Sequence, residues 1–293
     1  MRRTVLALLA LLVLPLVTLS AGPVRPPVAV KAEESFFAAF NHDPREKAAP
    51  LRPLWMAALT DPTDSRTWML LGLDHLWLAA EGDKTSPLTV EHLVLSERFL
   101  SRAQELDPSD HRIPSWLVPV RLSLAGITGP RNPKEQKEAR DRIIRELLAA
   151  YAEDPAFHSF ALALVSFDSG RDTPDFQRGL TALHQTHGAC TGNSENPACA
   201  NRPRWPHNQE AFLTFEADYE LKARNTARAR DLLLEAQQRP TYPQWPFRGE
   251  TEDRLKNLDA YAALYADGDP GNDPPHLMAS SQGIVCQRCH LGP

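Results

Sequence analysis

This chain of 293 residues carries 32 basic and 37 acidic side chains, a formal net charge of −5, which argues against the basic surface that nucleic-acid binding requires. Glycine is sparse and proline abundant, 14 against 26, and segments rich in Ala, Leu, Arg and Glu lie between the prolines. That pattern predicts helices joined by Pro-rich connections, in a body long enough for one large or two small domains.

The N-terminus reads as an export signal. Met1-Arg2-Arg3 is a short basic start, Val5 to Leu19 is apolar apart from Pro15 and Thr18, and the small residues Ser20, Ala21 and Gly22 follow. Residues 1–21 are expected to form a secretory signal peptide. The apolar run is short for a membrane span, though an uncleaved N-terminal anchor is the alternative. No second long apolar stretch follows, so no intrinsic span is expected after signal cleavage, and the location is expected to be periplasmic or secreted. Residues 22–34 read as a linker.

From 35 to 266 the chain reads as a helical body. Leu54, Ala57 and Asp61-Pro62 lead into Trp68-Met69-Leu70-Leu71-Gly72. The alternation of small and large apolar residues recurs at Ser96, Leu100, Ala103 and Asp107-Pro108, and again at Ile143, Leu147, Ala150 and Asp154-Pro155. Ala229, Leu233 and Ala236 give a fourth instance, closed by Pro240, with Phe212, Phe215 and Tyr219 placed for a preceding helix. Small residues let two helices approach, and large ones fill the gap between successive pairs. One pair cannot bury its apolar face alone, so pairs must stack. In these positions the chain resembles tetratricopeptide-repeat proteins, at an irregular period with insertions near 82–88, 127–133 and 188–208. The alternative is an irregular helical bundle with Asp-Pro breakers. The expected fold class is therefore all-α: an irregular tetratricopeptide-like helix-pair superhelix with a short C-terminal tail.

Thr173-Pro174 is a good cap and first-turn pair for a further helix. The insert at 188–208 is rich in Gly, Asn and Pro and contains Cys190 and Cys199. In an oxidising compartment such a pair is expected to form a disulfide, contributing about 2–3 kcal/mol by chain entropy. A helix carrying Leu255, Leu258, Tyr261, Leu264 and Tyr265 is followed by a Pro/Gly linker at 267–275 and a tail at 276–293.

The tail holds the most specific signal, Cys286-Gln287-Arg288-Cys289-His290. A C-x-x-C-H string is how haem is covalently attached, because two thiols and an imidazole must reach one porphyrin together. In this motif the chain resembles c-type cytochromes. The resemblance implies one covalent haem c, with Cys286 and Cys289 as thioethers and His290 as the proximal iron ligand. It also accords with export, since bacterial c-type haem is attached outside the cytoplasm. Only three residues follow His290, unlike the small cytochromes c, whose motif lies near the N-terminus. Cytochromes c-prime carry a late motif, but within the last helix of a four-helix bundle. The second iron ligand stays open among Met278 or His276 close upstream, a body histidine such as His184, His187 or His207, and none.

Zinc is a poorer reading, since three ligands with an adjacent Cys-His pair suit its tetrahedral preference badly. No βαβ context supports a thioredoxin-like site. No Ser-His-Asp order, His-Glu-x-x-His string or phosphate-binding Gly loop is found. The expectation is an exported monohaem electron carrier rather than a catalyst, whose partner is a redox protein or a membrane redox complex. The alternative is a tetratricopeptide-like interaction scaffold or redox-complex assembly factor in which haem is minor or absent.

Overall fold

The computed structural model describes residues 25–42, 46–82, 86–190, 208–269, 271–280, 283–284 and 288. The expected signal peptide, Cys199, His207, Cys286, Cys289 and His290 lie outside them. The fold is all-α. Helices α1 (Pro27–His42), α2 (Leu51–Thr60), α3 (Ser65–Ala80), α4 (Pro87–Leu106), α5 (Pro114–Thr128) and α6 (Pro133–Glu153) are followed by α7 (Pro155–Ser166), α8 (Pro174–Cys190), α9 (Gln209–Lys222), α10 (Thr226–Gln237), α11 (Arg248–Lys256) and α12 (Leu258–Ala266). Among the described residues the extended structure is a minimal antiparallel pair, β1 (Ala279–Ser280) and β2 (Gly283–Ile284), with Ala279 opposite Ile284. No described helix is long and apolar enough to cross a membrane.

The abundant prolines act as helix starters. Ser86, Asn132 and Asp154 each precede a proline at the first helical position and accept a backbone N–H from the first turn. A proline there costs nothing, because its missing N–H would have no intrahelical partner. Asp154 also closes α6, so one residue ends one helix and starts the next. Asn208 and Asn225 cap α9 and α10 in the same manner without a proline.

Packing runs between neighbours in sequence. α3 lies on α4, α5 on α6, α7 on α8 and α9 on α10. Small residues set the spacing. A Cβ on Gly72 would sit 2.6 Å from Leu100 Cγ, and Ser96 Oγ donates 2.7 Å to the Gly72 carbonyl across the same contact. Ala57, Ala103, Ala229 and Ala236 are fully buried at the equivalent small positions. The core is correspondingly serial. One cluster spans α1 to α5, a second joins α5 to α8, and a third spans α7 to α12 and includes Leu277 and Met278 of the tail.

Three boundaries differ from those expected. α1 begins at Pro27, inside the stretch read as a linker, and buries Ala29, Ala32, Phe36 and Phe40 on one face. α8 continues to Cys190, taking up the first three residues of the expected loop insert. The helix expected around 255–265 is two, α11 and α12, divided at Asn257.

Candidate functional site

The segment after α12 turns back onto the body. Asp218 of α9, 1 % exposed, anchors it. Arg254 of α11 clasps the Asp218 carboxylate through two bonds of 2.6 and 3.0 Å, and also donates 3.1 Å to the Pro275 carbonyl. The Leu277 N–H donates to the same carboxylate at 2.6 Å, and the Tyr265 hydroxyl donates 2.9 Å to the Pro274 carbonyl. The buried ion pair fixes the backbone at 275 and 277 and Tyr265 fixes it at 274, and each charged partner has hydrogen bonds, which is what a buried pair needs to be tolerated.

This clasp drives His276, Leu277 and Met278 into the third core cluster, at 8 %, 0 % and 3 % exposure. The His276 ring lies 4.6 Å from that of Phe167 and 5.4 Å from that of Phe215, and its Nδ1 accepts the Met278 N–H at 3.2 Å. Burial, with Arg254, Lys222 and Arg288 nearby, pushes His276 down to about 3, so the ring is neutral. Both candidate second iron ligands are thus core residues here.

Arg288 is the described residue of the Cys286–His290 motif, and it is held through both its carbonyl and the ends of its guanidinium, while its buried Nε makes no hydrogen bond among the described residues. Its carbonyl accepts from Trp245 Nε1 at 3.0 Å and from Asn208 Nδ2 at 3.3 Å. Its guanidinium donates to the Leu277 carbonyl and, at 2.9 Å, to the Ala279 carbonyl, and pairs with Glu250 at 2.7 Å. Asn208 does two jobs, since its Oδ1 also caps α9 by accepting the Ala211 N–H at 2.8 Å. Arg288, one of the two residues between the cysteines, is therefore clamped where the start of α9, Trp245, α11 and the β1 strand meet. The body side of this junction is apolar, with Trp245 2 % exposed and Leu277 and Met278 beside it. The fixed Arg288 backbone and the apolar side chains of the body beside it are the described features that fit a covalently held porphyrin.

The other expected site residues lie elsewhere. Cys190 ends α8 and is disulfide-bonded. His184 and His187 lie on α8 facing Glu216 and Glu220 of α9. Glu216 is eight residues beyond Asn208, about 12 Å along the helix from the motif clamp. The two glutamates, like Asp218, Arg254 and Trp245, went unremarked in the sequence. The available signal was the helical spacing of His184 with His187 and of Glu216 with Glu220, each pair on one helix face. Comparison with known proteins finds no matching family model, no matching curated protein and no matching solved structure.

Proposed function

We propose that this chain is an exported monohaem c-type cytochrome, periplasmic or secreted, that passes single electrons to and from a redox protein or membrane redox complex docked on its helical body. Cys286 and Cys289 hold haem c through thioethers, and His290 is the proximal ligand. Bound in this way, the haem supplies a one-electron iron couple. The observation that carries the reading is the C-x-x-C-H string itself, with its central Arg288 fastened to the body through backbone and side chain together. Arg288, tied to Asn208, Trp245 and the Leu277 and Ala279 carbonyls, supports an attachment segment fixed to the body. On this reading His276 and Met278 are core residues rather than the second iron ligand, a role in keeping with their burial.

A second reading has one observation in its favour. α2 exposes Trp55, Met56 and Leu59, and Trp55 borders a groove with Trp68 and Phe99. A helical body with an apolar groove suits an interaction scaffold or assembly factor in which haem is minor. The pyridine haemochrome spectrum of the full chain, expressed with haem-maturation machinery, separates the two. A two-thioether spectrum lost in Cys286→Ser or Cys289→Ser supports the cytochrome. No haem band, beside a control cytochrome that matures, supports the scaffold.

A further inference from the structure

α8 and α9 form a groove whose polar residues are arranged for coordination rather than for solvent. His184 and His187 stand one turn apart on α8, and Glu216 and Glu220 one turn apart on α9. His184 Nε2 is 2.5 Å from Glu220 Oε1, and His187 Nδ1 is 2.7 Å from Glu216 Oε2. One ligand atom each from His184, Glu216 and Glu220 falls within a 4.8 Å span. These side chains, with Gly188, Asn225 and Arg228, line a cavity of about 510 Å³.

The ion pairs of Glu216 leave one of its oxygens short of a hydrogen bond. Its residue is 0 % exposed, and among the described residues its Oε1 accepts none. Arg228 pairs with that oxygen at 3.8 Å, beyond hydrogen-bond distance, and its own side chain is 38 % exposed. Burial raises the Glu216 carboxyl despite the hydrogen bond from His187. A buried carboxylate oxygen without a partner is costly unless something cationic fills the space beside it.

We propose that His184, Glu216 and Glu220 bind a divalent first-row transition-metal ion, zinc being the best match. One imidazole nitrogen and two carboxylate oxygens suit zinc, and the nitrogen disfavours magnesium and calcium. Three protein ligands leave a fourth position for water, and the cavity has room for it. His187 is a positioning residue. It holds Glu216 Oε2 through Nδ1, which Arg228 also approaches at 3.3 Å, while its Nε2 lies 3.4 Å from Glu235, and Oε1 remains the oxygen offered to the ion. The ion takes the Nε2 lone pair of His184, so proton and metal compete there. Arg228 opposes the ion by charge. This site is separate from the Arg288 clamp and does not depend on the haem reading.

The test is calorimetric titration of chelator-treated, untagged full-length protein with Zn²⁺, in a Cys286→Ser/Cys289→Ser background so that no tail thiol competes. One Zn²⁺ per chain is expected, with a rise in Tm. His184→Gln, at a half-exposed side chain, preserves the fold by circular dichroism and weakens binding at least tenfold, and Glu220→Gln does likewise. Arg228→Gln tightens binding, whereas loss of a cation from a plain ion-pair network brings no zinc affinity. Absence of saturable Zn²⁺ binding, binding unchanged in His184→Gln or Glu220→Gln, or weaker binding in Arg228→Gln overturns the proposal.

Discussion

Asp74→Asn is expected to stabilise this protein, and increasingly so as pH rises. Asp74 lies on α3 at 0 % exposure, and neither carboxylate oxygen accepts a hydrogen bond. Burial pushes its carboxyl from an ordinary 3.8 up to about 8. Between those values the unfolded chain releases a proton that the folded chain keeps. The unfolded state therefore binds fewer protons, and stability falls as pH rises, by at most about 1.4 kcal/mol per pH unit. Integrated to neutrality, the cost is bounded near about 4 kcal/mol, and relaxation around the buried group brings it to about 2. Asparagine keeps the size and polarity but does not titrate. Urea unfolding of both proteins at about pH 5 and about pH 8 is the assay. The buried histidines titrate in both proteins and cancel in the difference. The advantage of the variant is expected to widen across that interval. A difference that is constant with pH refutes the reasoning.

Other changes probe the clasp, the core and the helix spacing. Arg254→Met leaves Asp218 buried without its cation and is expected to cost about 3–5 kcal/mol. Hydrogen exchange at Leu277 then quickens along with it; unchanged exchange there contradicts the clasp. His276→Phe keeps an aromatic ring in the core and removes a group whose folded value is about 3 against 6.5 when free. Wild type loses stability as pH falls from 6.5 through that window, because the unfolded chain takes the proton first, and the variant is expected to lose less. The haem spectrum of the loaded variant is expected to match wild type, and an altered axial signature returns His276 to the iron. Gly72→Ala places a methyl against Leu100 and is expected to cost about 1–3 kcal/mol by thermal unfolding.

The parts of the fold legible in sequence are those set by local chemistry. Trp68 to Gly72, the Asp-Pro closures and the Thr173 start lie on helices or their caps because spacing and capping act within a few residues, whereas the Ser86 and Asn132 caps fall in stretches that read as insertions. α1 was hidden because Pro23, Pro26 and Pro27 sit at its approach and mask the apolar spacing of Ala29, Ala32 and Phe36. The fate of 267–279 was not legible either. Its apolar residues are too few to show a period, and its anchor, Asp218, is 59 residues from Leu277. The same holds for the α8–α9 groove. Each helix face can be read from its spacing, but which faces meet is decided by packing across the unreadable loop between them. The Cys286–His290 string stood out because its chemistry is local, while the clamp on Arg288 draws on Asn208, Trp245 and Glu250 and is purely tertiary.

The central claim is a covalent bond between the tail and haem, and the intact mass of the exported chain tests it most directly. Co-expressed with haem-maturation machinery, the wild-type protein is expected to weigh one haem more than its processed polypeptide, and the Cys286→Ser/Cys289→Ser protein is expected to weigh the polypeptide alone. A wild-type mass equal to the bare polypeptide, with Cys286 and Cys289 joined to each other, beside a control cytochrome that matures fully, contradicts it.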